Sequence, residues 1–303
     1  MASSHQKDIN LLLIGKTGNG KSALGNSILR TVLFVSTSST TSVTTSIAEA
    51  HTDFNGRRIN VVDGPGVGDT RVDNELATVL VLEAMNEAIR SSPNGYNALL
   101  LVVRFGRFSN EDKDTVDFLK KLFGVESVKQ NCILVITHGD DFESEESGEG
   151  FEEWCAAQQG VFQELLQECH HRAVLFNNKT KDKSTQDRQL KALIEMVDQL
   201  DNVYTDEHFS KAIPGRIHLM IEARRPIISF ETSFEIQKIT EKLERLHFNG
   251  NPANRTKNLD EIFMEALELQ DLLDAQDAQT GLLENEKTEV KILLNEITSK
   301  YTL

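Results

Sequence analysis

The sequence has few of the residues that would cross-link a chain or make it basic. Its three cysteines, Cys132, Cys155 and Cys169, are an odd number without a C-x-x-C spacing, so we expect neither a disulfide framework nor a zinc site. Lys and Arg number 32 against 47 Asp and Glu, which gives a formal net charge of -15. This acidic balance argues against nonspecific nucleic-acid binding, which requires a basic surface.

Long hydrophobic runs are also missing. No stretch reaches the roughly 18 uninterrupted apolar residues of a transmembrane helix, so we expect no transmembrane segment. Residues 1–10, MASSHQKDIN, contain no apolar run, and we expect no secretory signal there. Hydrophobic residues still make up 39% of the 303 positions, enough for a sizeable core. The composition predicts a cytoplasmic protein.

Strand-like and helical patterns alternate over the first two thirds of the chain. The strand-like runs are INLLLIG (9–15), ALLLVVR (98–104), CILVIT (132–137) and AVLF (173–176). The helical patterns cover 21–30, 74–90, 111–123 and 151–169, and the acidic stretch 140–153 reads as a surface loop. Two further strands in 47–63 meet at Asn55-Gly56, a strong hairpin signal. We therefore predict an α/β fold, a mostly parallel sheet with helices on both faces and one antiparallel edge strand.

The first of these strands runs into a glycine-rich loop that matches G-x-x-x-x-G-K-[ST]. The loop consists of Gly15, Lys16, Thr17, Gly18, Asn19, Gly20, Lys21 and Ser22. Glycines let backbone N–H groups turn inward around phosphates, and the helix that follows adds the positive end of its dipole. Lys21 is expected to reach the β- and γ-phosphates, and the Ser22 hydroxyl to bind Mg²⁺. The loop predicts a bound nucleotide.

A second motif, Asp63-Gly64-Pro65-Gly66, ends the hairpin's last strand. An acidic side chain at a strand tip can hold Mg²⁺ through water, which is the role expected of Asp63. The N–H of Gly66 would approach the γ-phosphate. Taken alone, the four residues could form a surface turn, but their order after the glycine-rich loop favours the metal-binding interpretation.

A Ser/Thr-rich segment, residues 31–46, lies between the two motifs. Its composition alone would also suit a linker. A mobile segment in this position often supplies a second hydroxyl to the Mg²⁺ octahedron. We predict Thr44 for that role, although spacing alone makes Thr41 or Thr45 nearly as suitable.

The base-binding residues are expected after the strand CILVIT, in Thr137-His138-Gly139-Asp140. A carboxylate at Asp140 would accept hydrogen bonds from the N1–H and N2 amine of guanine, whereas adenine offers no such donors there. His138 would stack on the base beside Thr137. Asn177, in the segment FNN, would bond the base from its other side. The prediction is therefore GTP or GDP with Mg²⁺.

At these residues the sequence resembles the immune-associated nucleotide-binding GTPases, which are also called GTPases of immunity-associated proteins. This family is related to septins and to the Toc chloroplast-import GTPases. GKTGNGKSALGNSIL is close to that family's first motif, and Ser42-Val43-Thr44 is similar to its switch I signature. Residues 96–124 resemble a conserved box that ordinary GTPases lack. The resemblance covers about residues 8–203 and implies a P-loop GTPase G domain there.

Two motifs depart from the family pattern. The family usually carries Asp-Thr-Pro-Gly where this chain has Asp63-Gly64-Pro65-Gly66, and many animal members carry Thr-Arg-x-Asp where it has Thr137-His138-Gly139-Asp140. Small GTPases orient the attacking water with a Gln at the place of Val67, so an isolated monomer is expected to be slow. Within the box, the resemblance implies that Arg107 acts together with Lys21 in catalysis, across a nucleotide-dependent homodimer, with Arg104 as the second choice.

Two functions therefore remain open. In the first, the protein is a GTPase completed by its own dimer; in the second, it is a GTP-dependent oligomeric scaffold with negligible hydrolysis. The resemblance further implies immune or survival-related signalling, peripherally at intracellular membranes through protein partners.

The last part, residues 204–303, is predicted to be a helical extension that binds such partners. Pro214-Gly215 reads as a break and 233–248 as a helix. Apolar residues then recur every three or four positions from Leu259 to Tyr301, with interruptions at Gln276, Thr280 and Lys287. The stripe suits either a coiled coil or a helix folded back onto its own domain.

Overall fold

The computed structural model describes residues 8–34, 47–67, 74–106, 108–145, 148, 150–248 and 252–301. Thr44 and Arg107 lie outside these residues. The chain divides into two compact units, Met1–Arg216 and Ile217–Leu303. This division falls after the 203/204 boundary predicted from sequence, because Tyr204 exchanges backbone hydrogen bonds of 2.8 Å with Tyr96 in the first unit.

The described part of the first unit contains one six-stranded sheet. Its strands are β1 (Ile9–Ile14), β2 (Ala48–Phe54), β3 (Arg57–Asp63), β4 (Ala98–Arg104), β5 (Cys132–Thr137) and β6 (Ala173–Leu175). Their order across the sheet is β2-β3-β1-β4-β5-β6. The pair β2–β3 is antiparallel and the other four pairs are parallel. The predicted sheet, mostly parallel with one antiparallel edge strand, is confirmed.

The edge hairpin turns where its sequence predicts. Asn55 and Gly56 connect β2 to β3 with φ angles of 52° and 79°. Two successive residues with positive φ form the turn type that matches the twist of hairpin strands, and Asn-Gly is its preferred sequence. The turn therefore fixes the register that brings Ala48 opposite Asp63.

The described part of the first unit contains nine helices that begin and end within it. They are α1 (Lys21–Leu29), α2 (Asn74–Ser91), α3 (Asn110–Phe123), α4 (Val125–Asn131), α5 (Gly139–Glu145), α6 (Phe151–Ala157), α7 (Val161–Glu168), α8 (Lys183–Asp198) and α9 (Asp206–Lys211). The predicted loop 140–153 was wrong in its first part, which is α5. The predicted helix 151–169 is two helices, because Gly160 adopts a left-handed φ of 66° between them.

Helices cover both faces of the sheet. One face packs against α1 and α8 through Leu24, Ile28, Leu190 and Leu193. The other face is covered by α2. Its Met85 and Leu12 of β1 both lie within 4 Å of the place where a Cβ atom on Gly64 would be. Every residue of β5 is buried, as expected for a central parallel strand. The polar ends of the strands are thus the part of the sheet available for chemistry.

The second unit is helical in its described residues. It contains most of α10 (Ile213–Phe248), followed by α11 (Pro252–Asp277) and α12 (Glu284–Lys300). The break predicted at Pro214-Gly215 lies close to the division between the units, after α9 ends at Lys211. The two residues do not interrupt α10, because Pro214 lies in its first turn, where a backbone N–H has no partner within the helix. Among the described residues, no helix combines the length and hydropathy needed to cross a bilayer.

The apolar stripe of the last third is divided between α11 and α12. Its members Leu259, Ile262, Ala266, Leu269, Leu273, Leu283, Val290, Leu294 and Ile297 belong to one buried cluster. The same cluster contains Ile228, Ile239 and Leu243 of α10. The stripe therefore packs within its own unit, as a helical hairpin against α10.

A buried carboxylate organises the turn of that hairpin. Asp277 accepts hydrogen bonds from Lys287 Nζ at 2.8 Å, Thr280 Oγ1 at 2.9 Å, Gly281 N at 3.1 Å and Leu283 N at 3.2 Å. Burial alone would raise the pKa of Asp277, but these hydrogen bonds, led by that from Lys287, lower its pKa to about 2. Two of the polar interruptions of the stripe, Thr280 and Lys287, thus stabilise the turn through Asp277.

Candidate functional site

The glycine-rich loop connects β1 to α1 through three left-handed glycines. Gly15, Gly18 and Gly20 have φ angles of 138°, 87° and 88°. A Cβ atom at Gly15 would also lie 2.5 Å from the carbonyl oxygen of Val102 in β4. Neither the backbone conformation nor the space at Gly15 admits a side chain, so the loop shape depends on glycine.

The side chain of Lys21 lies inside the curve of this loop. Its Nζ donates hydrogen bonds to the carbonyl oxygens of Gly15 at 3.1 Å and Lys16 at 3.3 Å. Burial lowers the pKa of Lys21 to about 8, although the charge of Asp63 opposes the shift. An anionic ligand in the loop would restore the solvation that this ammonium group loses on burial. Lys16 instead forms an ion pair with Glu111 of α3.

Ser22 and Asp63 meet at the start of α1 and the end of β3. The Ser22 hydroxyl donates to Asp63 Oδ2 at 2.5 Å. The other carboxylate oxygen, Oδ1, is buried and has no hydrogen-bond partner among the described residues. Burial raises the pKa of Asp63, and the Ser22 hydrogen bond and the Lys21 charge oppose this. A hydroxyl and a carboxylate are hard oxygen donors of the kind that Mg²⁺ prefers, so these residues fit the metal.

The Asp-Gly-Pro-Gly segment and the residue after it, Val67, contact the glycine-rich loop. Val67 is buried, and its N–H donates to the Gly15 carbonyl at 3.1 Å. A Cβ atom at Gly66 would lie 2.0 Å from Thr17 Oγ1, so Gly66 permits this close approach. Thr17 Oγ1 is itself buried without a hydrogen-bond partner among the described residues. The two sequence motifs are therefore in direct contact.

The Thr-His-Gly-Asp segment begins at the end of β5, beside the same loop. Thr137 Oγ1 donates to the Asn19 carbonyl at 2.8 Å. Gly139 N donates to the Phe176 carbonyl at 3.0 Å, which joins the ends of β5 and β6. His138 between them has a left-handed φ of 62°. The third motif thus lies at the same edge of the sheet as the first two.

Asp140 and Asn177 contribute polar groups to this edge. Asp140 Oδ2 accepts from Lys179 Nζ at 2.6 Å, which lowers the pKa of Asp140. Its Oδ1 is buried and lacks a partner among the described residues. Asn177 Oδ1 accepts from the Lys179 N–H at 3.1 Å, and its Nδ2 donates to Glu143 at 3.3 Å. The sequence analysis missed Lys179, whose position directly after FNN was the available signal.

His138 and Arg104 lie beside this motif. Burial lowers the pKa of His138, and the charge of Arg104 adds to the effect. Its Nδ1 lies 3.0 Å from Thr137 Oγ1. Arg104 is 58% exposed at its side chain and lies 3.7 Å from the carboxylate of Asp141. The structure therefore places Arg104 next to α5.

An aromatic cluster joins the end of β4 to helices α5, α6 and α7. We define it by Phe105, Phe108, Phe142, Trp154 and Phe162. Ring centroids are 5.4 Å apart for Phe105 and Trp154, 5.6 Å for Phe142 and Trp154, and 4.5 Å for Phe108 and Phe162. Phe142 follows Asp140 by two positions, so the cluster anchors the helix that carries this carboxylate. The sequence analysis did not identify it, because its members are far apart in the chain.

Comparison with known proteins places the chain in a family. Residues 9–224 match the model of the AIG1 family. Immune-associated nucleotide-binding protein 9 of Arabidopsis thaliana is 36% identical over 69% of this chain, which spans 61% of that relative's length. Immune-associated nucleotide-binding protein 7 of Arabidopsis thaliana is 29% identical over 96% of this chain and 92% of its own length.

Among solved structures, Toc33 from Arabidopsis thaliana in complex with GDP and Mg²⁺ is 20% identical, with a TM-score of 0.46. The likeness covers 66% of this chain and 89% of that one. The family assignment depends instead on the sequence model, which spans most of the chain and contains the three motifs that the fold brings together. The chain belongs to the AIG1 family.

Proposed function

We propose that this protein binds GTP and GDP with Mg²⁺ and hydrolyses GTP to GDP and phosphate. The observation that carries the proposal is a set of three buried polar atoms without hydrogen-bond partners among the described residues: Thr17 Oγ1, Asp63 Oδ1 and Asp140 Oδ1. Buried polar atoms are nearly always satisfied, so such atoms at one sheet edge call for a ligand there. The name of the Arabidopsis relatives, nucleotide-binding proteins, agrees with this proposal.

In this proposal the residues from Gly15 to Ser22 hold the phosphates with their backbone N–H groups. Lys21 neutralises the β- and γ-phosphates from inside the loop, and Gly66 offers its N–H to the γ-phosphate. Ser22 and Thr44 would bind Mg²⁺ directly, with Asp63 acting through water. The metal, when bound, neutralises charge that develops between the phosphates.

The guanine base is assigned to the other end of the site. Asp140 would accept the N1–H and the N2 amine of guanine, with Lys179 holding the second carboxylate oxygen. Asn177 and His138 would border the base, while Thr137 connects this part of the site to the glycine-rich loop. Adenine offers no donors to Asp140, so we expect a strong preference for guanine.

Hydrolysis is proposed to be slow in the monomer and faster in a nucleotide-dependent homodimer. Val67 occupies the position of the water-orienting Gln of small GTPases and carries no polar group. An arginine that reaches the transition-state charge is worth roughly 10³ to 10⁵ in rate. Arg107 of the partner protomer is proposed for that role, from the family resemblance of its segment.

Val67 also supports a second candidate function, a GTP-dependent scaffold. Its N–H bond to Gly15 and its burial fix an apolar side chain where a catalytic amide would be needed. In this case GTP binding drives oligomer assembly, hydrolysis is negligible, and the C-terminal helices bind protein partners. For either function, we propose that the protein acts in immune signalling. Its proposed location is the cytoplasm, peripherally at intracellular membranes.

Nucleotide binding is tested with a fluorescent GDP analogue displaced by GTP, ATP or xanthosine triphosphate. The Asp140→Asn protein should lose guanine affinity by at least about 10³-fold and gain affinity for xanthine, whose 2-oxo group accepts from the new amide. Displacement by ATP as efficient as by GTP would refute the base assignment. An unchanged thermal unfolding temperature is the control for folding.

Hydrolysis is tested by GTP turnover per molecule over roughly a hundredfold range of protein concentration, because dimerisation follows mass action. A rate that rises for the wild type and stays flat for Arg107→Ala supports the dimeric GTPase. Arg104→Ala is the comparison variant, because Arg104 ends the strand that precedes the same segment and is the second candidate for the catalytic arginine. Tight GTP binding without turnover at any concentration would support the scaffold.

A further inference from the structure

Helices α10 and α11 border a groove in the second unit. The groove has a volume of about 350 Å³. Its floor is made of the buried side chains Ile228, Leu269 and Leu273, and its walls include Phe230, Phe234 and Leu272. The floor belongs to the core of the unit, so the groove is a fixed feature of the helix packing.

Three residues in the walls of this groove are large, apolar and exposed. Phe230, Phe234 and Leu272 are 73%, 58% and 52% exposed. Phe230 and Phe234 are four residues apart on α10 and therefore occupy the same helix face. Scattered exposed apolar residues need no explanation, but a contiguous apolar patch around a groove is typical of a binding surface.

The charged residues around the groove are acidic. Of the described residues that line the groove, the charged ones are Glu231 and Glu235. Asp271 directly precedes Leu272, and Glu268 lies one helical turn before it on α11, both exposed. Glu235 pairs with Lys238 at 3.0 Å, whereas no ion pair joins Glu231, Glu268 or Asp271 to another described residue. The apolar groove thus has a negatively charged border.

We propose that this groove binds an amphipathic helix of a partner protein, with large apolar side chains on one face and Lys or Arg beside them. Helices that bind grooves insert apolar residues at spacings of i, i+4 and i+7, which suits a groove between two helices. The acidic border selects basic flanks and disfavours a second copy of the same groove, since like charges would face each other. The residues of this groove all belong to the second unit and none is a proposed nucleotide-binding residue, so the inference does not depend on nucleotide binding.

The probe is a fluorescein-labelled peptide of about five helical turns, with Leu at the anchor positions and Lys elsewhere. Its controls are a scrambled peptide of identical composition and a version in which Glu replaces every Lys. Fluorescence anisotropy is measured with the full-length protein at two salt concentrations. We expect binding of the amphipathic basic peptide that is at least about tenfold tighter than that of either control.

Variants of the groove separate specific binding from general attraction to an acidic protein. Phe230→Ser and Phe234→Ser should each weaken binding by about tenfold, because apolar anchors dominate such interfaces. Glu231→Lys should weaken binding and reduce its salt dependence. The matched control is Ile292→Ser on α12, where the side chain is apolar and 63% exposed but outside the groove; it should change affinity less than about twofold.

Three outcomes would overturn the proposal. The first is equal binding of the scrambled peptide or no binding of the amphipathic one. The second is unchanged affinity in both Phe variants, with helicity by circular dichroism equal to that of the wild type. The third is concentration-dependent self-association of the wild type without nucleotide that Phe234→Ser abolishes, which would identify the occupant as a second copy.

Discussion

Two buried aspartates, one in each unit, have opposite surroundings. Asp277, 1% exposed in the helical unit, accepts hydrogen bonds from four donors of the α11–α12 turn. Asp63, 5% exposed at the end of β3, accepts one from Ser22 and leaves its second oxygen unpartnered among the described residues. The pKa of Asp277 is lowered and that of Asp63 is raised.

The difference separates a structural carboxylate from one prepared for a ligand. A buried charge that is fully hydrogen-bonded stabilises the conformation around it, and its loss leaves several donors without partners. A buried charge with an open coordination position is costly until a cation or a donor arrives. Variants at Asp63 should therefore change nucleotide affinity, and variants at Asp277 should change the free energy of unfolding.

The largest effect is expected from Asp63→Asn. Asn keeps the shape of Asp and can still accept from Ser22, so the thermal unfolding temperature should change little. If Asp63 holds the metal through water, as proposed, its loss as a carboxylate should reduce Mg²⁺-dependent nucleotide affinity about 10- to 100-fold. The measurement is displacement of a fluorescent GDP analogue with and without Mg²⁺. An equal loss in the absence of Mg²⁺ would contradict the metal-binding role.

Asp277→Asn should give the opposite result. The amide no longer attracts Lys287 as a charge, so the free energy of unfolding should fall by about 1.5 to 3 kcal/mol, the range for hydrogen bonds to charged groups. Nucleotide affinity should stay within about twofold of the wild type. Thermal unfolding followed by far-UV circular dichroism gives the stability. A stability equal to that of the wild type would remove the structural role assigned to the turn.

The acid stability of the helical unit should depend on the same carboxylate. Because the folded pKa of Asp277 lies at about 2, below the usual value of 3.8, its stabilising effect is complete above pH 3.8 and is lost as the pH falls towards 2. Asp277→Asn should flatten this acid limb of the stability profile. The measurement is urea unfolding at successive pH values, and parallel profiles of the two proteins would disprove the assignment.

The smallest effect is expected from Arg104→Ala. Its contact with Asp141 at 3.7 Å is a surface ion pair between exposed groups. Such pairs contribute about 0 to 1 kcal/mol, so the unfolding free energy should change by less than that amount. GTP turnover should stay within about twofold. A large loss of turnover would favour Arg104 over Arg107 as the proposed catalytic arginine.

Local signals predicted the parts of the fold that depend on one residue's conformation or on continuous patterns. Asn55-Gly56 turns where expected because both residues tolerate positive φ, and the glycines of the glycine-rich loop are required for the same reason. The apolar runs predicted β1, β4, β5 and β6, and the longer runs of β1, β4 and β5 reflect central strands that are buried on both faces.

The errors and omissions arose where distant contacts decide the structure. Helix α5 forms in a stretch that is acidic and locally loop-like because Phe142 packs on Phe105 and Trp154. An apolar stripe has the same period in a coiled coil and in a helical hairpin, so the sequence could not distinguish them. The structure does so through the buried cluster shared with α10 and the hydrogen bonds of Asp277. The contact between Lys179 and Asp140 likewise needed the ends of two strands to meet.

The aromatic cluster gives the protein a natural optical reporter. Trp154 is the sole tryptophan of the chain, and it is buried against Phe142, on the helix that begins at the proposed guanine-binding carboxylate. Indole emission responds to the polarity and packing around the ring. A displacement of α5 on loading or release of nucleotide at the proposed site should therefore change the intrinsic fluorescence, which can be recorded in real time without a dye.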